Sequence, residues 1–325
     1  MSVKALLKRF DAWRDESRTL VLATVIGSAG STYTKPGHRI LLADLGDYEG
    51  LISGGCLEGD LALHARQVVA SGDARVITYD LSGDGEELFG LGIGCDGLLR
   101  ILLQRLTPAN NYEPFAALGA VLRGDSAGHC AIVLADHGDL PLGRTLISAD
   151  GNFAQPGLAS AEVLYTGLKP LPRLLVLGAG PDAVPVVSLA DTLGWRVTLV
   201  DHRPAYLDRP GFDGVETRVC APADELADRV PLPIFAAAIV MSHHLATDRR
   251  HLVTLARSAI PYIGLLGPPG RRDRLLRELG TAADGLAPRL HGPAGLDIGA
   301  DSPESIAVAI LAEIHARLHG KTGSR

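Results

Sequence analysis

The sequence predicts an α/β chain of two domains. One is an α+β domain of short strands, and the other is a parallel sheet flanked by helices. Three observations carry that prediction. A proline-containing joint, "TGLKPLPRLLVLGAG", divides the chain near residue 170. Before it, short apolar runs are broken by Gly, Asp and Ser. After it, apolar strands alternate with amphipathic helices, the rhythm of a parallel sheet covered on both faces.

Taken in order, the chain opens with "MSVKALLKRFDAWRDE", an amphipathic helix with Val3, Leu6, Leu7, Phe10 and Trp13 on one stripe. Strands are expected at 19–27, 38–44, 74–81 and 98–106. One clear helix interrupts them, "CLEGDLALHARQVVASG", closed by Gly72 as a C-cap. "HCAIVLAD" and "RTLISAD" flank "HGDLPLG" and predict a hairpin. Beyond the joint, strands are expected at 173–178, 196–201, 234–241 and 262–267. Helices "DAVPVVSLADTLG" and "DRRHLVTLARSA" lie between them. Ser302 and Pro303 read as N-cap and first residue of a last helix, "SPESIAVAILAEIHARL". The domains are therefore placed at 1–165 and 170–325.

Composition narrows the functions. The chain has 325 residues, 46% of them hydrophobic and 21% charged, and a net charge of −6. Without a run of Lys or Arg, neither nucleic acid nor an anionic membrane surface is the expected partner. No apolar run of about 18 residues predicts a membrane span, and the N-terminal helix lacks a signal peptide's apolar segment. The four cysteines, Cys56, Cys95, Cys130 and Cys220, form no CxxC pair, so no zinc knuckle is expected and a reducing, cytoplasmic setting fits.

Two regions carry candidate chemistry. In the second domain, Gly178, Gly180 and Ala183 form G-x-G-x-x-A between a strand and a helix, and Asp201 ends the next strand. Glycines there permit a tight turn close to a pyrophosphate, the helix start supplies N–H groups, and Asp201 can accept from ribose hydroxyls. The domain is thus Rossmann-like, with NAD(P) or another nucleotide as candidate ligand. Asp201 favours NAD, while Arg203 leaves NADP open. "SHHLATD" follows a later strand. His243, His244 and Asp248 there are candidates for a metal or phosphate. In the plainer reading Thr247 or Asp248 caps the next helix.

In the first domain, "LISGGCLEGDL" places Cys56 after Gly54 and Gly55 at a helix start, where partial positive charge favours a thiolate. Glu58 opposes that as a like charge yet suits the helix dipole. The loop "GSAGSTYTKPGHRI" adds Lys35 and Arg39, and "GLGIGCDG" adds Cys95. These three glycine-rich loops suggest a site for a phosphorylated, sulfur-reactive ligand. Equally, they can be tight turns with Cys as a small apolar residue.

"GSAGSTYTKPGHRI", "GLISGGCLEGDL" and, near the C-terminus, "HGPAGLDIGADSPESIAVAILAEI" resemble the XdhC/CoxI family of xanthine dehydrogenase accessory factors. The resemblance covers both ends of the chain, and residues 107–170 add little to it. It implies a maturation role. The protein would bind molybdenum cofactor (molybdopterin), support exchange of an oxo ligand for sulfide with a cysteine desulfurase, and serve a xanthine dehydrogenase-like molybdenum hydroxylase. Cys56 is then the first candidate contact and Cys95 the second. The expected site comprises Cys56, Gly54, Gly55, Glu58, Cys95, Lys35 and Arg39, with Gly178, Gly180 and Asp201 in the second domain. Two departures stand out. Asp96 replaces a family glycine beside Cys95, and "PPGRR" follows "YIGLLG". A homo-oligomer is expected, and a chaperone rather than a turnover enzyme. The alternative is an NAD(P)-dependent oxidoreductase with His243 or His244 as acid/base.

Overall fold

The computed structural model describes residues 2–43, 46–55, 57–80 and 97–322. Its contacts divide the chain into two units, Met1–Leu171 and Pro172–Arg325.

The first unit is built on an antiparallel five-stranded sheet. It comprises β1 (Leu20–Gly30), β2 (Arg39–Ala43), β3 (Tyr48–Glu49), β4 (Arg75–Asp80) and β5 (Gly97–Leu106), in the order β3-β2-β1-β5-β4. Helix α1 (Val3–Asp15) buries Leu6, Leu7, Phe10 and Trp13 on one face of that sheet. Helix α2 (Glu58–Ser71) covers the other with Leu61, Ala65 and Val68. Strict alternation along β2 decides which side chain meets which helix: Ile40 and Leu42 pack with α2, and Leu41 and Ala43 with α1. A third helix, α3 (Phe115–Arg123), lies where the sequence pattern predicts none. It adds Phe115 and Leu118 to the α1 side. The expected hairpin is present as β6 (Gly128–Val133) and β7 (Thr145–Ser148), and β8 (Val163–Leu168) completes a three-stranded sheet ordered β7-β6-β8.

The second unit has β9 (Arg173–Leu177), β10 (Arg196–Asp201), β11 (Val215–Cys220), β12 (Ala237–Val240), β13 (Ile263–Leu265) and β14 (Leu290–His291). They form one parallel sheet ordered β11-β10-β9-β12-β13-β14, the doubly wound order of a Rossmann fold. Helices α4 (Ala183–Thr192), α5 (Pro204–Leu207), α6 (Leu226–Arg229), α7 (Leu245–Ala256), α8 (Pro269–Leu279) and α9 (Pro303–Leu318) connect or follow the strands. Apolar clusters lie on both faces of the sheet, one gathering Val186, Val187, Ile310 and Ile314, the other Leu252, Leu255, Leu275 and Leu279. The α/β expectation therefore holds for both halves.

Helix starts in this unit follow cap chemistry, with two revisions. Ser302 caps α9 in a reciprocal capping box with Ser305, and Pro303 opens the helix. The α7 cap is neither Thr247 nor Asp248 but His244, whose ring accepts from the Thr247 amide. "PPGRR", whose two prolines read as a loop at the edge of the sheet, instead starts a helix. Pro268 caps α8 and Pro269 begins it, a position that needs no N–H.

Candidate functional site

In the first unit, the described parts of the three glycine-rich loops meet at one end of the sheet. Thr34 is buried and its hydroxyl donates to Ile52 O at 3.2 Å, tying the loop of Lys35 to the segment before α2. Gly97 pairs with Gly30, and a Cβ on Gly97 would lie 2.5 Å from Ala29 O. Cys56 and Cys95 lie outside the described residues. The flanks Gly55, Leu57 and Gly97 lie within them.

Glu58 organises this loop. Its fully buried carboxylate accepts from the Ile52, Ser53 and Gly55 amides at 2.7, 2.9 and 3.0 Å and from the Ser53 hydroxyl at 2.8 Å. The Ser53 hydroxyl in turn accepts from Leu57 N at 2.7 Å. Burial raises the Glu58 pKa, but these hydrogen bonds outweigh it and hold the carboxyl below its ordinary value. Glu58 is therefore a positioning residue whose oxygens are spent inside the loop. Gly54 and Gly55 take φ of 84° and 111°, a conformation that favours glycine, and a Cβ on either would meet nothing within 4 Å among the described residues. The loop is fixed on its Glu58 side.

The two cations are not equivalent. Lys35 is exposed on the loop that Thr34 anchors. Arg39 departs from the expected grouping. It shares the β2 face of Leu41, opposite α2, and its guanidinium lies against the buried Cys130 thiol. Its Nε and one terminal nitrogen have no hydrogen-bond partner among the described residues. Burial depresses the Arg39 pKa and raises that of Cys130.

In the second unit, the residues of the nucleotide fingerprint are largely occupied by the fold itself. Gly178 has φ 122°, and a Cβ there would lie 2.6 Å from Met241 O, so its glycine admits the end of β12. Asp201 is buried and uses its four acceptor positions. It takes the Ala179 amide at 2.8 Å, and the Arg203 amide, Nε and one terminal nitrogen, each at 2.9 Å. Burial raises its pKa, but these donors bring it below the ordinary value. With these four bonds made, Asp201 has no acceptor position left for a ribose. Three further amides around the turn are also committed: Gly178 N donates to Val200 O, Ala183 N to Gly180 O, and Val184 N to Pro181 O. Pro181 and Pro185 have no N–H.

Nor do His243, His244 and Asp248 gather as a metal or phosphate site. Asp248 is buried and bonded to Arg271 and to Ser242. His244 caps α7, and the His243 Nε2 meets Asp182 Oδ2 at 2.7 Å.

Beside that pair lies a cavity of about 750 Å³ at the carboxyl ends of β9, β12 and β13. The signature segment "HGPAGLDIGAD" forms one wall, and the residues that fix it were not found by sequence reasoning. Glu313 of α9 accepts from Tyr262 Oη at 2.7 Å and from the Gly295 amide at 2.8 Å, and it pairs with His291 Nδ1 at 2.7 Å. Burial would raise the Glu313 pKa, yet these partners hold it at about 2. The His291 ring stacks on Tyr262 at 4.4 Å. The spacing of "YIGLLG", "HGPAG" and "AILAEI" is the signal that holds this network.

A Rossmann unit with its cleft walled by the "HGPAGLDIGAD" segment, joined to an α+β unit with a carboxylate-braced "SGGCLEGD" loop, defines a two-unit class of protein. The chain belongs to the XdhC and CoxI family. Residues 13–80 match the model described as XdhC and CoxI family, and residues 174–314 the one described as XdhC Rossmann domain. A relative from Bacillus subtilis, described as a probable xanthine dehydrogenase subunit, is 32% identical over 94% of each chain. The molybdenum cofactor insertion chaperone PaoD of Escherichia coli is 27% identical over 94% of this chain and 85% of its own. A crystal structure described as a xanthine dehydrogenase from Bacillus halodurans superposes with a TM-score of 0.82 at 27% identity, covering 100% of this chain and 98% of its own.

Proposed function

We propose that this protein is a molybdenum cofactor insertion chaperone for a xanthine dehydrogenase-like molybdenum hydroxylase, and that the loop cluster of the first unit receives the cofactor. The name of the Escherichia coli relative supports the chaperone reading, and that of the Bacillus subtilis relative the link to xanthine dehydrogenase. The observation that carries the site is the loop braced by Glu58, with no described residue within 4 Å of where a Cβ on Gly54 or Gly55 would lie. A backbone held by four hydrogen bonds to one carboxylate can receive a rigid ligand without large reorganisation. When bound, the cofactor supplies the metal centre that the client enzyme uses.

The chain's own residues would then divide the work. Glu58 holds the loop, Lys35 offers charge to a phosphate, and Cys56, with Cys95 as second candidate, offers a thiolate. Arg39, on the other face of the sheet, would support the fold beneath the site. Sulfuration with a cysteine desulfurase and self-association are part of the same proposal. The alternative, an NAD(P)-dependent oxidoreductase, would have to bind a pyrophosphate at a turn whose amides are mostly engaged.

The test is purification from a host that makes molybdenum cofactor, followed by assay of bound pterin and molybdenum. Wild type should carry both. Cys56→Ala should keep its thermal midpoint and lose most of the pterin. Equal pterin in the two proteins would return Cys56 to the role of a small residue in a tight turn.

A further inference from the structure

Arg39 carries a charge into the interior of the first unit. By the alternation of β2 it shares the face of Leu41, and its guanidinium lies against the fully buried Cys130 thiol. Its Nε and one terminal nitrogen are buried and have no hydrogen-bond partner among the described residues. A guanidinium does not lose its proton inside a protein, so the charge persists. Burial raises the Cys130 pKa, which leaves that thiol neutral at pH 7.

Neighbouring side chains do not balance that charge. Glu49 stands opposite Leu41 in β3 and shares its face, but its carboxylate pairs with Arg9 at 3.2 Å. Thr24 stands opposite Arg39 in β1, and its buried hydroxyl also has no partner among the described residues. That hydroxyl can accept from Arg39 but brings no charge. A buried cation without a counter-charge is among the costliest groups a fold can hold.

A cavity of about 110 Å³ borders Arg39. Val3 and Leu6 of α1, Phe115 and Leu122 of α3, and His38 also line it, and none of its described lining residues is acidic. Burial lowers the His38 pKa, so its ring is neutral at pH 7 and adds no second charge. One positive charge among mainly apolar walls suits one negative charge and rejects two. Sites for drug-sized ligands run to about 300–1,000 Å³, so an occupant here has only a few heavy atoms.

We propose that this cavity takes a small monovalent anion, of the size of chloride, formate or nitrate, as the counter-ion of Arg39. The anion balances the guanidinium and ties α1 and α3 to the start of β2. Sulfate and phosphate do not suit the place, because a second negative charge would stand unpaired in apolar surroundings. The site lies on the face of the sheet opposite α2. It does not depend on cofactor binding at the glycine-rich loops.

Binding to the full chain tests it, in a buffer whose anions are bulky sulfonates such as HEPES. The magnetic-resonance lines of chloride and of isotopically labelled formate broaden when the ion is bound. Chloride, formate or both should broaden with wild type and sharpen again on adding nitrate. Sulfate at the same ionic strength should displace neither. The anion that binds should also raise the thermal midpoint saturably, as a ligand of the folded chain does. Arg39→Met replaces a buried charge by an apolar stem of similar length, a change that folds tolerate well. It should lose both the broadening and the anion dependence of the midpoint. Val3→Trp, at a lining position that is 43% exposed, should fill the cavity and weaken binding about tenfold or more. Arg250→Met, at an exposed arginine of the second unit, should bind like wild type. The proposal is overturned if no anion binds, if sulfate competes, if Arg39→Met or Val3→Trp binds like wild type, or if Arg250→Met abolishes binding. It is also overturned if wild type at pH 7 shows a thiolate absorption that Cys130→Ala removes, since the sulfur would then be the counter-charge.

Discussion

Two carboxylates stand at two helix starts, and the molecule uses them in opposite ways. Glu58, in the first turn of α2, accepts from three loop amides and a hydroxyl and is fully buried. Asp182, at the head of α4, accepts from no backbone amide and stays partly exposed beside a cavity. A carboxylate that satisfies buried donors is part of the fold, and one that leaves an oxygen unused is available to a ligand. By that criterion Asp201, Asp248 and Glu313 side with Glu58, since each is enclosed by named donors.

The largest effect should come from removing Glu58. Glu58→Ala strands three amides in a loop of which Ile52 is fully buried. Allowing for water entering beside the glycines, the cost should be about 3 kcal/mol. Thermal unfolding should fall by on the order of 10 °C. Glu58→Gln, which keeps one acceptor, should lose less. A Glu58→Ala protein as stable as wild type would remove the bracing role and with it half of the contrast.

Burial also makes α7 of the second unit sensitive to pH. His251 of α7 is almost fully buried, and that burial lowers its pKa to about 4, against weaker opposing influences of Asp248 and Asp201. A histidine whose folded pKa lies below its unfolded value of about 6.5 contributes stability that is complete above 6.5. That stability is lost as pH falls toward 4, in total on the order of 3 kcal/mol. The first unit's Glu58 has a lowered carboxylate pKa, so its contribution is lost only below about pH 4.5. Between pH 7 and 5, amide protection factors, which take out the intrinsic slowing of exchange at lower pH, should therefore fall more around α7 than around α2. His251→Gln should flatten that dependence. An equal fall around both helices would break the distinction.

Much of this was legible in the sequence where local rules act. The strand–turn–helix at Gly178, the Ser302 cap and the Gly72 helix end depend on residues a few positions apart, and each is where its pattern placed it. The revisions concern partners brought from a distance. The alternation of "HRILLAD" set Arg39 and Leu41 on one face, but only packing decided that α2 covers the other. Arg271 reaches Asp248 from 23 residues away, so Asp248 could not be separated from a cap by spacing alone. His244 escapes the pattern because His is an uncommon cap, and the two prolines of "PPGRR" mask a helix that one of them begins. In Glu58 the sequence showed charge at a helix start, while the direction of its oxygens depends on how the glycines turn.

The smallest expected effect is the sharpest on the comparison. An Asp at an N-cap that bonds the helix amides is worth about 1 kcal/mol, and replacing it by Ala ordinarily costs that much. Asp182 makes no such bond, and its contact with His243 is a pair in which the histidine is 60% exposed. Exposed pairs contribute little. Asp182→Ala should therefore shift the unfolding free energy by less than about 0.5 kcal/mol. Urea unfolding of the full chain reads the difference directly, with an unchanged slope as the sign that the folded state is intact. A loss of 1 kcal/mol or more would mean that Asp182 serves the fold as Glu58 does. A neutral substitution leaves a carboxylate that the helix does not need, held beside the cavity by a histidine in a sparsely populated backbone conformation, φ 59°.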